Sequence, residues 1–223
     1  MLNKKSIVLL SAGLDSTVNL FLAHQKTKVV KTITFDYGQI AAVKEIEKAQ
    51  QISKQLGLEN TVIDLPWLKK VSGSALTDSN KKVPVNTDIA IDDLQISLKS
   101  AKSVWVPNRN GVFLNIAASF ADAYSIDYII PGFNLEEAAT FPDNSENFMT
   151  SINESFTFST SNQVKVVSYT VQMTKSEIVK IALDQKIPLD LIWPCYFSGP
   201  EWCGQCESCL RTLRAFKLNN FKL

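Results

Sequence analysis

Apolar and polar positions along the chain follow a repeating strand-then-helix order. Residues 7–10 form a short apolar run of the kind found in strands buried on both faces. Residues 16–25 read as a helix, and the β-branched run 29–35 as the next strand. Ile46, Ala49, Ile52 and Leu56 fall on one helical face, and Gly57 stops that helix. Residues 60–65 predict a third strand. Phe113, Ile116, Ala117 and Phe120 mark another helix, followed by a fourth strand over 127–133 that Pro131 and Gly132 end. Residues 145–156 read as a polar, amphipathic helix and 164–169 as a fifth strand. Thr174 and Glu177 make a capping box for a helix that runs to residue 186. This order predicts an α/β fold: a doubly wound, mostly parallel five-stranded sheet with helices on both faces. Such sheets bind ligands at the carboxyl ends of their strands. Residues 66–107 show no clear period and read as a lid or binding insert. No internal repeat or low-complexity tract interrupts the pattern.

Composition narrows the class without changing it. With 223 residues, 45% apolar and 20% charged, the chain supports one full core, or one core with a small appendage. The division expected is an α/β unit over 1–190 and a small helical segment packed on it over 191–223. A net charge of +1 gives no electrostatic footprint for nucleic acid or an anionic membrane. The first apolar run stops at Leu10, too short for a signal-peptide core or a membrane span, so a cytoplasmic location is expected. The single histidine, His24, has no evident partner and reads as a surface or packing residue.

Two stretches carry candidate chemistry. The first is "SAGLDS", residues 11–16, between a strand and a helix. Gly13 permits a tight turn that aims N–H groups inward, the helix start adds free N–H groups, and the hydroxyls of Ser11, Ser16 and Thr17 complete an anion site. The same letters also make an ordinary helix start. Asp15 beside a phosphate makes sense as a Mg²⁺ ligand, or otherwise as a favourable charge at a helix N-terminus. The second is Cys195-x7-Cys203-x2-Cys206-x2-Cys209, which holds all four cysteines. Clustered thiols in a reducing compartment point to metal before disulfide. Structural Zn²⁺ fits four thiolates best; an iron–sulfur cluster and unliganded thiols are the alternatives. Arg109 and Asn110 stand where a loop enters a helix, and the guanidinium suits a phosphate or carboxylate, or plain solvent. Lys175 on a first helical turn opposes the dipole unless an anion sits there. Asp36, Tyr37 and Gln39 leave the second strand at its ligand end, or form an ordinary turn.

The loop "SAGLDS" is similar to the SGGxDS loop of the PP-loop ATP pyrophosphatases. "FDYGQ" (35–39), "GSALTD" (73–78), "VPNRN" (106–110), "TKSEIV" (174–179) and the terminal cysteines follow in an order that resembles the QueC, or 7-cyano-7-deazaguanine synthase, family over nearly the whole chain. The resemblance implies an ATP-dependent C–N ligase of queuosine biosynthesis. ATP adenylates the carboxylate of 7-carboxy-7-deazaguanine, ammonia displaces AMP to give an amide, and a second activation dehydrates the amide to the nitrile. It implies ATP contacts from Leu10, Ser11, Ala12, Gly13, Leu14, Asp15, Ser16, Thr17, Val18, Asn19, Leu20 and Phe35. It gives catalytic work to Asp15, Ser16, Arg109 and Lys175, with Lys175 at the departing pyrophosphate. It places the deazapurine against Tyr37, Gln39, Asn110, Phe141 and Asp143, where Phe141 offers a ring face and Asp143 accepts from a guanine-type N–H edge. It assigns Zn²⁺ to Cys195, Cys203, Cys206 and Cys209, and Mg²⁺ accompanies ATP. No direct nucleic-acid or membrane partner is implied, and a homodimer is left open.

Three departures mark this chain. Ala12 stands where the loop usually has a second glycine, and its methyl is expected to narrow the approach to phosphate. Ile40-Ala41-Ala42 replaces a basic, histidine-containing stretch. "EEAATFPDNSENF" (136–148) replaces a segment like "DFSGYPDCR", keeping only Pro142-Asp143. These departures keep open an amide-forming deazapurine ligase and a non-enzymatic nucleotide-binding module. A tRNA sulfur-transfer enzyme of the same superfamily would need a free catalytic thiolate and an RNA-binding surface.

Overall fold

The computed structural model describes residues 3–222. The chain runs β1 (Lys5–Leu9), α1 (Leu14–Lys26), β2 (Lys28–Asp36), α2 (Ala42–Gln55), β3 (Glu59–Asp64), α3 (Pro66–Val71), α4 (Leu94–Val104), α5 (Arg109–Ala123), β4 (Tyr128–Ile130), α6 (Leu135–Ala138), α7 (Glu146–Ser159), β5 (Lys165–Val166), α8 (Lys175–Asp184) and α9 (Glu207–Leu218). The strands are all parallel, in the order β3-β2-β1-β4-β5. The winding therefore reverses on either side of β1, and the crevice of a doubly wound sheet opens there, beyond the carboxyl ends of β1, β2 and β4.

The five predicted strands are present, two of them shortened. β4 ends at Ile130 because Pro131 has no N–H for the ladder. β5 is only two residues long, although Val167 still donates to Ile129 O at 2.9 Å. Ile7, Ile33 and Ile129 point to one face and meet Leu114, Ala117 and Ala121 of α5 and Phe156 of α7. Val8, Val29 and Ile130 point to the other and meet Leu20 and Ala23 of α1 with Ala49 and Ile52 of α2. Thr174 closes the predicted capping box at α8. His24 is exposed on the last turn of α1. No helix among the described residues is long and apolar enough to cross a membrane.

The connection 66–107, which shows no period in the sequence, holds α3, a 3₁₀ turn at Asn86–Asp88 and α4. Asp93 caps α4, accepting from the N–H groups of Gln95 and Ile96. Its buried face is Ser97, Ser100, Ala101 and Val104, so two serines mask the apolar repeat. The chain after α8 does not stand apart. Trp193 N–H donates to Ala12 O at 2.8 Å, and Trp193, Cys195, Cys206 and Cys209 share a core with Val8 and Leu10. Ala215 and Phe216 of α9 close against Ile178, Val179 and Ala182 of α8.

One close approach positions the site. A Cβ at Gly132 would stand 2.5 Å from the Ser16 nitrogen and 2.6 Å from its Cα. Backbone at that range cannot yield, so β4 and the start of α1 are held together by the absence of a side chain. Gly132→Ala is expected to cost about 1–3 kcal/mol, the usual penalty of overpacking, by pushing the α1 N-terminus outward. Thermal unfolding of the variant checks this.

Candidate active site

A cavity of about 220 Å³ opens at the crevice. One wall is the loop between β1 and α1. Ala12 takes φ +59° and Gly13 φ −63°, so the left-handed turn falls on the alanine. Its methyl is fully buried beside Trp193 and Cys195, away from the cavity that Ser11 and Gly13 line. The expectation that this methyl narrows the approach to phosphate is thus corrected: it packs into the core. Ser11 Oγ accepts from Gly13 N–H at 3.3 Å and meets Ser16 Oγ at 3.2 Å, and both serines line the cavity. The first N–H groups of α1, which begins at Leu14, have no carbonyl a turn earlier in the helix.

Of the residues that sequence links to ATP, Leu10, Ser11, Gly13, Asp15, Ser16 and Phe35 line the cavity. The others do not. Leu14, Val18 and Leu20 are buried in the helix-packing cores. Thr17 is also fully buried, and its Oγ1 has no partner among the described residues. Asn19 bonds Asp15 O at 2.9 Å through Nδ2, while its Oδ1 accepts from Tyr169 N–H at 2.8 Å; it braces α1 against the chain after β5.

A buried charge centre faces the loop. Lys175 on the first turn of α8 is 2% exposed, and its Nζ lies 2.7 Å from Asp15 Oδ2 and 2.7 Å from Glu137 Oε1. The anion that its position demands is supplied by the protein's own carboxylates. Burial disfavours the ammonium, but Asp15 and Glu137 outweigh it and hold the Lys175 pKa above its ordinary value. Two acids share one cation, so their shifts oppose. Glu137 is held down by Lys175 against its burial, whereas burial and the neighbouring Glu137 charge push Asp15 up. Asp15 Oδ1 is buried and has no partner among the described residues.

The opposite wall is aromatic. Phe35 stacks on Phe113 with centroids 4.1 Å apart and an interplanar angle of 6°, and Tyr37 tilts against the same ring. Arg109 donates to Tyr37 Oη at 3.2 Å. Burial opposes its charge, and Tyr37 and Asp143 raise its pKa despite that. Asn110 and Phe141 line the cavity, with Phe141 stacked on Trp105. Gln39 and Asp143 do not. Gln39 is a brace, accepting from Tyr37 N–H at 2.9 Å and donating to Phe35 O at 3.0 Å. Asp143 O accepts from Asn110 Nδ2 at 3.1 Å, and its neighbour Asn144 takes the lining position.

Among the charged residues lining the cavity, sequence reasoning missed four: Glu45, Glu137, Glu207 and Arg211. Burial raises the Glu45 carboxyl to about 7, against the hydrogen bond from Gln39 and the Arg109 charge. Glu207 and Arg211, an i,i+4 pair at 2.8 Å on α9, are both buried and reach α4 through Ser100. That pair beside the cysteines was a readable signal; Glu45 and Glu137 carried none.

The four cysteine sulfurs lie within 4.8 Å of one another. A tetrahedral Zn²⁺ with bonds of about 2.3 Å separates its sulfurs by about 3.8 Å, and Cys203 and Cys209 stand 4.0 Å apart. Backbone N–H groups of Phe197 and Cys203 point at Cys195 Sγ, and those of Gln205 and Cys206 at Cys203 Sγ. Donors aimed at sulfur favour thiolates, so the donor set fits a metal. The knuckle also anchors the 66–107 connection: Asn86 N–H donates to Gln205 O at 3.0 Å.

A family model described as queuosine biosynthesis protein QueC matches residues 5–220. The 7-cyano-7-deazaguanine synthase of Bdellovibrio bacteriovorus is 53% identical over 98% of this chain and 95% of its own. The enzyme of the same name from Pelotomaculum thermopropionicum is 47% identical over 98% and 99%. Among solved structures, the U34-tRNA thiolase NcsA from Methanococcus maripaludis, with its [4Fe-4S] cluster, superposes with a TM-score of 0.53 at 16% identity, over 98% of this chain and 67% of that one. That likeness is one of fold.

Two outcomes follow from the site's electrostatics and its thiols. Folding raises the Glu45 pKa from 4.5 to about 7, so the folded state resists an ionisation that the unfolded chain undergoes freely. Its share of stability is intact below pH 4.5 and lost as pH climbs toward 7. Glu45→Gln is therefore expected to raise the melting temperature by a few degrees at about pH 8 and to change it little at pH 4.5; scans at both values check this. Cys206→Ser is expected to lower bound metal and the melting temperature together, read by elemental analysis and calorimetry.

Proposed function

The chain belongs to the QueC family, whose members are 7-cyano-7-deazaguanine synthases, and from that premise we propose how its own residues carry the reaction. The activity is that of an ATP-dependent ligase in queuosine biosynthesis. The observation that carries the assignment of roles is the meeting of Asp15, Lys175 and Glu137 at the phosphate loop.

ATP lies with its phosphates on Ser11, Gly13, Ser16 and the α1 N-terminus. Asp15 and Glu137 would hold the Mg²⁺ of Mg-ATP, which supplies charge neutralisation at the phosphates. The unpartnered Asp15 Oδ1 fits that role, as does a carboxylate pair already gathered around one cation. Once the acids are engaged, Lys175 is free to meet the charge that develops on the leaving pyrophosphate. The carboxylate of 7-carboxy-7-deazaguanine attacks the α-phosphorus, and pyrophosphate departs. Ammonia then attacks the activated carbon, AMP departs and a proton is lost, which leaves the amide. The amide oxygen attacks the α-phosphorus of a second ATP and pyrophosphate departs; loss of both N–H protons and of AMP then forms the C≡N bond. Arg109, buried and held by Tyr37, orients the substrate carboxylate between these steps.

Cys195, Cys203, Cys206 and Cys209 would hold Zn²⁺. All four positions of a tetrahedral ion are then protein thiolates, so the metal fixes the α9 wall and takes no part in the chemistry.

Asp15→Asn keeps the volume of the side chain and removes its charge. It is expected to lower AMP release by at least about 100-fold with a near-normal melting temperature. Mass spectrometry of a reaction with 7-carboxy-7-deazaguanine, ATP and ammonia is expected to show the amide early and the nitrile at completion. Turnover that halts at the amide would replace the nitrile assignment with an amide-forming ligase.

A further inference from the structure

Glu45 is the cavity acid that the adenylation chemistry leaves unused. It stands on the first turn of α2, and its Oε2 accepts from Gln39 Nε2 at 2.8 Å. Gln39 is itself pinned by Tyr37 N–H and Phe35 O, so the carboxylate is held in one orientation. Among the described residues none donates to its Oε1, and the residue lines the cavity beside the stacked Phe35 and Phe113 rings. A flat platform with a fixed, half-satisfied carboxylate at its margin is a recognition site for a planar ring that presents N–H donors. Arg109 supplies the complementary group. Its charge acts on Glu45, and it is fixed by Tyr37.

We propose that Glu45 accepts from the N1–H and 2-amino donors of the deazaguanine ring and so determines which base enters this end of the cavity; the assignment rests on the deazaguanine reading above. The chemistry of the edges supports it. A guanine-type edge runs acceptor, donor, donor. Arg109 faces the O6 acceptor, which lies on the same side of the ring as the 7-carboxylate, and Glu45 faces the two donors. An adenine-type edge runs donor, acceptor, and sets its amino group against the guanidinium and its N1 lone pair against the carboxylate. The reaction brings both ring types into one cavity, so a pair that attracts one and repels the other keeps ATP and substrate at their own ends.

The test compares 7-carboxy-7-deazaguanine with its analogue lacking the 2-amino group, by equilibrium binding and by kcat/KM. The intact enzyme is expected to prefer the guanine-type ring by about 100-fold, since the analogue leaves a desolvated carboxylate short of a donor. Glu45→Gln is expected to reduce that ratio below about tenfold, mostly through Kd and KM, while it still binds ATP; Glu45→Asp should restore part of it. An unchanged ratio in a folded, ATP-binding Glu45→Gln variant overturns the proposal. So does a lower kcat with discrimination intact, which would make Glu45 a proton acceptor. Should either variant fail to fold, the wild-type ratio decides alone, and a value near one overturns the assignment. If the wild-type protein releases AMP but consumes no deazapurine, the functional reading falls and this inference with it.

Discussion

An ammonium that is 2% exposed has to be answered by carboxylates, and in this protein that requirement organises the site. Taking one charge out of water costs several kcal/mol, recovered only with good geometry and full hydrogen bonding. Lys175 therefore draws in Asp15 from α1 and Glu137 from α6, three helical segments that meet at the open edge of the sheet. The line of charge continues. Lys175 N–H donates to Glu136 Oε1 at 2.8 Å, and Glu136 pairs with Arg211 and Arg214 on α9. Arg211 pairs with Glu207, and Glu207 accepts from Ser100 on α4. A single connected network thus runs from the phosphate loop to the wall beyond the cysteines, and the elements that frame the cavity share it.

The phosphate loop shows a second constraint, met by packing. A left-handed alanine costs about 1–2 kcal/mol relative to its ordinary conformations. Ala12 adopts that conformation, and its methyl is fully buried with Trp193, whose N–H holds its carbonyl. The burial of the methyl offsets the strain. The glycine that the geometry does require lies elsewhere, at Gly132, where the neighbouring backbone leaves no room for a Cβ.

These particulars explain what the sequence could reveal. Strands and long helices were legible because each carries its own periodicity. The phosphate loop and the cysteine cluster were legible because their residues lie within a few positions of one another. The α4 helix was hidden, since its buried face includes Ser97 and Ser100, which look polar until Glu207 and Arg211 supply partners more than 100 positions away. Glu137 and Glu45 resemble surface acids for the same reason: what singles them out is Lys175 in one case, and Gln39 with the cavity wall in the other. Asp143 shows the converse. It sits beside a readable motif, yet Asn144 and not Asp143 lines the cavity.

The cysteine knuckle gains its meaning from where its helix begins. Cys206 is the N-cap residue of α9 and Cys209 lies in its first turn, so two of the four sulfurs set the orientation of that helix. Between and just beyond them stand Glu207, Ser208 and Arg211, all facing the cavity. Four thiols this close cannot all ionise without a cation between them. Hydrogen bonds from Cys206 and Cys209 pull Cys195 down, and the same bonding pushes Cys206 up. A metal resolves that conflict and rigidifies the turn in one event. The 66–107 connection rests on the same turn through Asn86 and Gln205, so fixing the knuckle also fixes the far wall. An ion saturated by these four thiolates would act through position alone, by setting the wall that carries Glu207, Ser208 and Arg211.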